Sequence, residues 1–421
     1  MTLASPARAC GIDFGTSNST VGWLRPAQAT LLALEDGKVT LPSVVFFNAE
    51  EDSIAFGRAG LRAYLDGSEG RLMRSLKSLL GSSLIDGKTE VHGRALLFRD
   101  LLAQFIGELK KRAENLGGRA FDQAVFGRPV HFVDDDPAAD QQAEDTLAAI
   151  ARAVGFADVS FQYEPIAAAF HYETEIAREE LVLVADIGGG TSDFSLVRLS
   201  PRRARAGERR DDVLANGGVH IGGTNFDRQL SLACVMPLLG YGSRLRNERE
   251  MPSGIFFNLA TWHTINFAYT RQVWAEQQRL RLNALDPERM DRLLALIEQR
   301  AGHWLAHQVE EAKIALSAQE TSVLALDRLT PGLRHALTRC EFDLATATLA
   351  DKVESTVAAL LADAGVAAER IDTVFFTGGS SGVPRLRQRI AALLPRARAV
   401  EGDLFGSIGA GLAVQAARRY G

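Results

Sequence analysis

An α/β fold made of two related lobes is what this sequence predicts, on three observations. A strand–turn–strand unit occurs twice. Apolar strand-like runs alternate with amphipathic helical segments along the rest of the chain. Its 421 residues also exceed one ordinary core and point to two or three domains or lobes.

The repeated unit carries most weight. Its first copy runs Gly11-Ile12-Asp13-Phe14-Gly15-Thr16-Ser17-Asn18-Ser19-Thr20-Val21. The second runs from Val184 through Asp186-Ile187-Gly188-Gly189-Gly190-Thr191-Ser192-Asp193 to Leu196. Each copy is an apolar strand ending in aspartate, then a Gly/Thr/Ser turn, then an alternating strand, which is a β-hairpin signature. The copies lie too far apart for a solenoid period. Two lobes, each opening with the same hairpin, fit the spacing.

The other elements follow in order. Gln123 to Phe132 reads as a strand. Asp136 before Pro137 is an N-cap with proline at the first helical position, opening an Ala-rich helix to about Val154. Asp158 to Gln162 is a strand and Pro165 to Ile176 a helix. The basic stretch Arg202 to Arg210 reads as a solvated hairpin tip balanced by Asp211 and Asp212. The uncharged stretch Pro252 to Thr270 holds Asn258, Thr261, His263, Thr264 and Asn266, so it reads as part of a packed lobe and not as a membrane span. Asp286-Pro287 repeats the cap. Met290, Leu293, Leu294, Ile297, Ala301, Trp304, Leu305 and Ala312 then recur at helical spacing, predicting one helix to about Leu316. Ile371 to Thr377 is a buried-type strand leading into Gly378-Gly379. Val383 to Leu394 and Phe405 to Arg418 are helices, the latter rich in small residues.

Composition removes several functions. With 46% hydrophobic and 24% charged residues the chain is a soluble globular type, not a disordered one. A net charge of −5 disfavours nucleic-acid binding through a basic body. The three cysteines (Cys10, Cys234, Cys340) form no CxxC pair, so neither a disulfide framework nor structural zinc is expected. Met1 to Cys10 has no apolar core of signal-peptide length. A reducing cytoplasm, with no membrane partner, is the expected location.

The hairpins suggest the chemistry. Glycines admit close backbone approach, and turn N–H groups form an anion nest. Thr16, Ser17, Thr191 and Ser192 add hydroxyl donors. Asp13, Asp186 and Asp193 would repel a polyphosphate unless Mg²⁺ lay between, held partly through water. Two facing hairpins would then clamp one Mg-nucleotide. No GxxxxGK[ST] loop is present. The segment Phe375 to Pro384 adds a strand, Gly turn and helix whose glycines would let a base or ribose lie on the backbone. His303 and His307 have metal-compatible spacing without a third ligand and read as packing or surface residues. Trp262, Trp274 and Trp304 read as core or lobe-surface anchors, and Cys10 as packed.

At these residues the chain resembles the actin-like ATPases, two RNase H-like lobes flanking a nucleotide cleft. In particular it resembles the ATPase domain of the heat-shock protein 70 chaperones, and among them the YegD-type bacterial branch. The motifs are the two hairpins, Glu164-Pro165-Ile166-Ala167-Ala168-Ala169, Ile221-Gly222-Gly223-Thr224-Asn225-Phe226-Asp227, Glu310-Glu311-Ala312-Lys313-Ile314-Ala315-Leu316-Ser317, and Gly411 to Ala417. The resemblance implies lobe I over 1–177 closed by 404–421, and lobe II over 178–403, with a nucleotide-base region at 237–325. It implies ATP/ADP and Mg²⁺ as cofactors. Asp13, Asp186 and Asp193 would organise the metal, mostly through water. Lys77, Glu164, Asp186 and Thr191 would act on the γ-phosphate and the attacking water. Gly15, Thr16, Ser17, Asn18, Gly188, Gly189, Gly190, Thr191 and Gly223 would line the nucleotide. So would Gly378, Gly379 and Ser380, together with Glu310, Lys313 and Ser317, whose offsets put them on one helical face.

The sequence departs from the family at three points. Its two adenine-stacking arginines are matched by Ile314 and Gly382. The arginine that engages J-domain co-chaperones is matched by Ser160, so that partner is not expected. The resemblance stops at the closing helix, so a peptide-binding domain is expected to be absent. The function expected is an ATP-binding, ATP-hydrolysing chaperone-like protein with a protein client or partner. A non-hydrolysing nucleotide sensor is the alternative, ahead of a small-molecule kinase or a filament-forming relative.

Overall fold

In a computed structural model of the chain, residues 8–25, 30–91, 93–205 and 210–421 are described. Most of Met1 to Cys10, and positions 206–209 of the basic stretch, lie outside the described residues. The chain divides into two compact units, Met1–Gly222 with Lys352–Gly421, and Gly223–Asp351.

Unit one contains two five-stranded sheets. The first joins β1 (Ala9–Phe14), β2 (Asn18–Gly22), β3 (Thr40–Pro42), β4 (Gln123–Arg128) and β5 (Asp158–Tyr163) in the order β5-β4-β1-β2-β3. The second joins β6 (Glu180–Ile187), β7 (Ser192–Leu199), β8 (Val213–Val219), β9 (Thr373–Thr377) and β10 (Arg398–Glu401) in the order β10-β9-β6-β7-β8. In both, the first three strands run antiparallel and the last two parallel to the first. The hairpin repeat is thus the opening of one topology used twice. Asp13 pairs with Thr20 in the first copy and Asp186 with Asp193 in the second, so Thr20 and Asp193 hold equivalent places.

Two helices lie between the sheets. The helix α2 (Glu164–Tyr172) packs on β6 and β7, and the closing helix Ser407–Tyr420 packs on β1, β2 and β4. They meet each other where Ala167, Ala168 and Ala169 share an apolar cluster with Val182, Val184, Leu412 and Ala416. Contact is backbone to backbone: a Cβ on Gly411 would stand 1.8 Å from the Ala167 carbonyl oxygen. A larger core lies under the first sheet, where Ile12, Phe14 and Phe126 pack on Leu101, Phe105 and Leu109 of the helix Phe98–Gly117.

Several boundaries differ from expectation for local reasons. Strand β4 stops at Arg128, because Pro129 has no N–H for the ladder. The next helix, α1 (Pro137–Ala153), starts where expected, with the Asp136 carboxylate accepting from the Ala138 and Ala139 N–H groups. Helix α2 ends at Tyr172 and not at Ile176. The basic stretch connects β7 to β8, with the Arg203 guanidinium on Asp212.

In unit two the single helix expected over 287–316 is two, Pro287–Glu298 and Gly302–Ala318. Arg300 between them is left-handed at φ 49°, and the Gly302 N–H donates to the Tyr269 hydroxyl at 2.8 Å. Apolar residues Met290, Leu293, Leu305 and Val309 are nevertheless buried on both sides of the break, which explains the unbroken periodicity. The Pro252 to Thr270 stretch forms the short helix Gly254–Leu259 and the turn Ile265–Tyr269. Among the described residues no helix is long and apolar enough to cross a membrane.

Candidate functional site

The two hairpin turns abut. A Cβ on Gly189 would lie 2.3 Å from Ser17 Oγ, and one on Gly190 would lie 2.6 Å from Thr16 Oγ1. Gly222 lies as close to Gly190 from the other side, its Cβ position 2.5 Å from the Gly190 nitrogen. At Gly222 the obstruction is backbone and only hydrogen fits; at Gly189 and Gly190 a side chain would have to displace the Ser17 and Thr16 hydroxyls. The first turn is braced by Ser43, whose hydroxyl donates to the Gly15 carbonyl at 2.7 Å and whose N–H donates to the Ser17 carbonyl at 2.9 Å. The second closes on itself, with the Gly188 N–H on the Thr191 carbonyl at 2.9 Å.

Behind the turns the strand ends deliver acids. Asp13 comes from β1, Asp186 from β6, Asp193 from β7 and Glu164 from the first turn of α2, and all are buried. Carboxylate oxygens of Glu164, Asp186 and Asp193 lie within 4.8 Å of one another. Asp13 is outside that ligand-distance group, although the charge of Glu164 acts on it and its own charge acts on Asp186. Asp193 Oδ1 accepts from the Val130 N–H at 2.6 Å. Asp193 Oδ2 and Asp186 Oδ1 are buried with no protein partner among the described residues.

Lys77 joins this group. It sits on the short 3-10 turn Leu76–Leu79, entered through Ser75 in the left-handed region at φ 58°. Its ammonium is buried and lies 2.5 Å from Glu164 Oε1, so it is not a surface lysine. Burial alone would lower the Lys77 pKa; the charges of Glu164 and Asp13 outweigh it and hold the group protonated. The acids move the other way. Burial first and the charge of Glu164 second push Asp13 and Asp193 up to about 7, against the opposing pull of Lys77 and, at Asp193, of the Thr191 hydroxyl and the Val130 N–H. Asp186 rises well above its ordinary range for the same two reasons, with Asp193 and Asp13 adding to the effect.

Like charges crowded in a dry site, with two carboxylate oxygens lacking any donor, are what a hard divalent cation relieves. An all-oxygen donor set suits Mg²⁺ or Mn²⁺ over softer ions. The residues therefore fit such an ion.

The third sequence element is bound to this one. Gly378 has φ +78°, and its missing Cβ leaves room for Asp186 Oδ1 at 2.5 Å. The equivalent space on Gly379 is taken by the Phe405 ring, 2.9 Å from a Cβ there. Ser380 is buried beside them, and Gly382 has open space where a side chain would be.

In unit two Glu310, Lys313 and Ser317 lie on the helix Gly302–Ala318 as expected. Lys313 is buried, ion-paired to Asp227 at 2.8 Å and donating to the Gly223 carbonyl at 3.3 Å. Ser317 donates back to the Lys313 carbonyl at 3.2 Å. Ile314 points outward, 54% exposed. His307 faces Glu310 at 3.6 Å, and His303 is buried.

Sequence reasoning passed over Ser43, Val130 and Arg128. The first two act through backbone groups or a lone hydroxyl and leave no motif. Arg128 had a signal: a charged residue at the end of the apolar run Ala124-Val125-Phe126-Gly127.

Comparison with known proteins agrees with this geometry. The profile of the family described as Hsp70 protein matches residues 9–92, 84–236 and 291–421. Similar curated proteins include a chaperone protein HscA homolog from Shewanella sp. (strain MR-4) and chaperone protein DnaK from Thermosipho africanus (strain TCF52B), each 27% identical. Chaperone protein HscA from Serratia proteamaculans (strain 568) is 26% identical. Each alignment covers 97% of this chain and 58% of the relative, so the chain spans a little over half the length of these proteins.

Proposed function

The chain belongs to the Hsp70 family, and on that footing we propose that it binds ATP with Mg²⁺ and hydrolyses it to ADP and phosphate in a chaperone-like role. The observation that carries this reading is the buried set Glu164, Asp186 and Asp193, with Lys77 on Glu164, directly behind two abutting Gly/Thr/Ser turns.

In this reading, backbone N–H groups of Gly15 to Asn18 and Gly188 to Thr191 cradle the phosphates. Thr16, Ser17 and Thr191 add hydroxyl donors. Asp13, Asp186 and Asp193 would hold Mg²⁺, mostly through water, with Glu164 beside them. When bound, the ion neutralises polyphosphate charge. Lys77 keeps its proton and so places fixed positive charge where negative charge shifts during phosphoryl transfer. Glu164 spends one oxygen on Lys77, and the other accepts from the attacking water to orient it. Gly223, Glu310, Lys313, Ser317 and the turn Gly378-Gly379-Ser380 take the adenosine. Residues 1–177 with 404–421, and 178–403, serve as the two lobes. The three cysteines are free, which suits a cytoplasmic location, and the partner is a protein client or effector.

Calorimetry with and without Mg²⁺, followed by single-turnover hydrolysis, tests the reading. Metal-dependent ATP binding with phosphate release that Asp186→Asn abolishes is expected. Tight Mg-ATP binding with no hydrolysis in the unaltered protein would replace the enzyme by a nucleotide sensor.

A further inference from the structure

Asp193 is oriented by a device that reaches outside the acid cluster. One of its oxygens is fixed by the Val130 N–H at 2.6 Å, and the other, Oδ2, is the one left without a protein partner. Fixing the first aims the second. The fixed N–H belongs to neither helix nor strand: residues 129–132 form an irregular link between β4 and α1. Something other than a ladder must therefore hold it.

Arg128 does so with its whole guanidinium. Nε donates to the Pro129 carbonyl at 3.0 Å and Nη2 to the Val130 carbonyl at 3.2 Å. Nη2 also reaches Asp140 at 2.7 Å, and Nη1 reaches Glu144, both acids on α1. Asp140 turns its other oxygen to the Phe132 N–H at 2.5 Å. The link is thus clasped from Pro129 to Phe132 between the arginine and the first turns of α1. The guanidinium also lies 5.3 Å from the ring centre of Tyr163, the residue before Glu164. One converging carboxylate is thus reached through the backbone this side chain holds, and the side chain, itself buried, also packs on the residue preceding a second.

We propose that Arg128 is a positioning residue for the divalent-cation site, acting through Val130 on Asp193. The inference rests on the reading of Glu164, Asp186 and Asp193 as a cation site. Two carbonyls and two carboxylates are served together by four N–H donors of one planar fork, and lysine cannot replace them. Outer-shell partners of this kind are typically worth about 10- to 100-fold in metal affinity.

The test titrates Mn²⁺ with ADP, reading free Mn²⁺ by electron paramagnetic resonance and subtracting the Mn²⁺ that the same ADP chelates without protein, on the full chain and on Arg128→Lys, Arg128→Gln and Asp140→Asn. Arg128→Lys and Arg128→Gln are expected to lose Mn²⁺ affinity alike, by about tenfold, while metal-free ADP affinity stays within about threefold because the turns are untouched. Asp140→Asn, which keeps the arginine and most of the clasp, is expected to lose less and serves if the arginine variants fold poorly. In ¹⁵N-valine spectra the Val130 amide proton should sit downfield, as donors to carboxylates do, and move upfield in Arg128→Lys. Unchanged Mn²⁺ affinity in folded Arg128→Gln, or full retention in Arg128→Lys, would overturn the positioning role. Failure of the cation-site reading looks different: the unaltered chain with ADP would bind no Mn²⁺, and Asp193→Asn would change nothing.

Discussion

Gly189 lies so close to Ser17 that a methyl group in its place would stand 2.3 Å from the serine hydroxyl oxygen. At Gly189 and Gly190 the hydroxyls of the first hairpin occupy the space a side chain would need. Gly189→Ala should therefore separate the turns, destabilising the fold by about 1–3 kcal/mol, as overpacking does, and weakening ATP binding. Ser17→Gly removes the obstructing atoms. The double variant should recover stability beyond the sum of the single effects, and thermal melts of the four proteins check this. Strict additivity would show that the contact between the turns is unimportant.

Lys77 and Glu164 form a buried pair, so removing either charge acts on stability and chemistry together. Lys77→Ala leaves Glu164 uncompensated among other acids and should cost about 3–5 kcal/mol at neutral pH. Lys77→Ala with Glu164→Gln should cost less. Single-turnover hydrolysis should fall by on the order of 10²–10³, while the ATP dissociation constant moves a few-fold, because the turns supply most of the ground-state contacts. Hydrolysis at the normal rate in folded Lys77→Ala would remove the lysine from the mechanism.

The metal-free protein should be more stable in mild acid than in mild base. Asp13 and Asp193 hold their protons to about 7 when folded against 3.8 ordinarily, so the folded state binds protons more tightly than the unfolded chain. This contribution is fully present below the ordinary value and is lost as pH rises through about 7. Mg-nucleotide competes with those protons, so its stabilising effect should grow over the same interval. Melting in chelator across that range reads the first slope, and melting with Mg-ADP the second. Asp193→Asn should flatten both.

In the sequence resemblance Ile314 and Gly382 match the family's two adenine-stacking arginines, and placing arginine at both tests that match together with the proposed function. Gly382 has open space around it and Ile314 is exposed, so both accept arginine without repacking. Ile314→Arg with Gly382→Arg should tighten ATP by about 0.5–2 kcal/mol for each cation–π contact formed. Calorimetry decides, and no gain in a folded variant would put the base elsewhere.

Much of the scaffold was legible because it rests on local chemistry. The hairpin repeat showed as residue types in order and became the opening of two sheets. Asp136-Pro137 and Asp286-Pro287 marked helix starts, and both carboxylates do cap. The break at Arg300 was not legible, because its cause is a hydrogen bond from Gly302 to Tyr269, distant in sequence. Asp13 and Asp186 stood out as strand-end aspartates and Asp193 as the acid after the second turn, but Lys77 was visible only through the family resemblance: its place depends on the turn at Ser75 and on Glu164. Arg128 was hidden inside what read as a longer strand, and its meaning lies in partners on α1 and in the backbone that follows it.

The two sheets repeat one topology, yet they do not repeat one charge. Thr20 in the first copy is answered by Asp193 in the second. Two identical halves would present the same wall twice, and an elongated ligand lying between them could point either way. A single added carboxylate removes that ambiguity. It gives the interior a head and a tail: with a cation held as proposed, a ligand with one anionic end and one uncharged end would have one orientation in which its charge meets that cation.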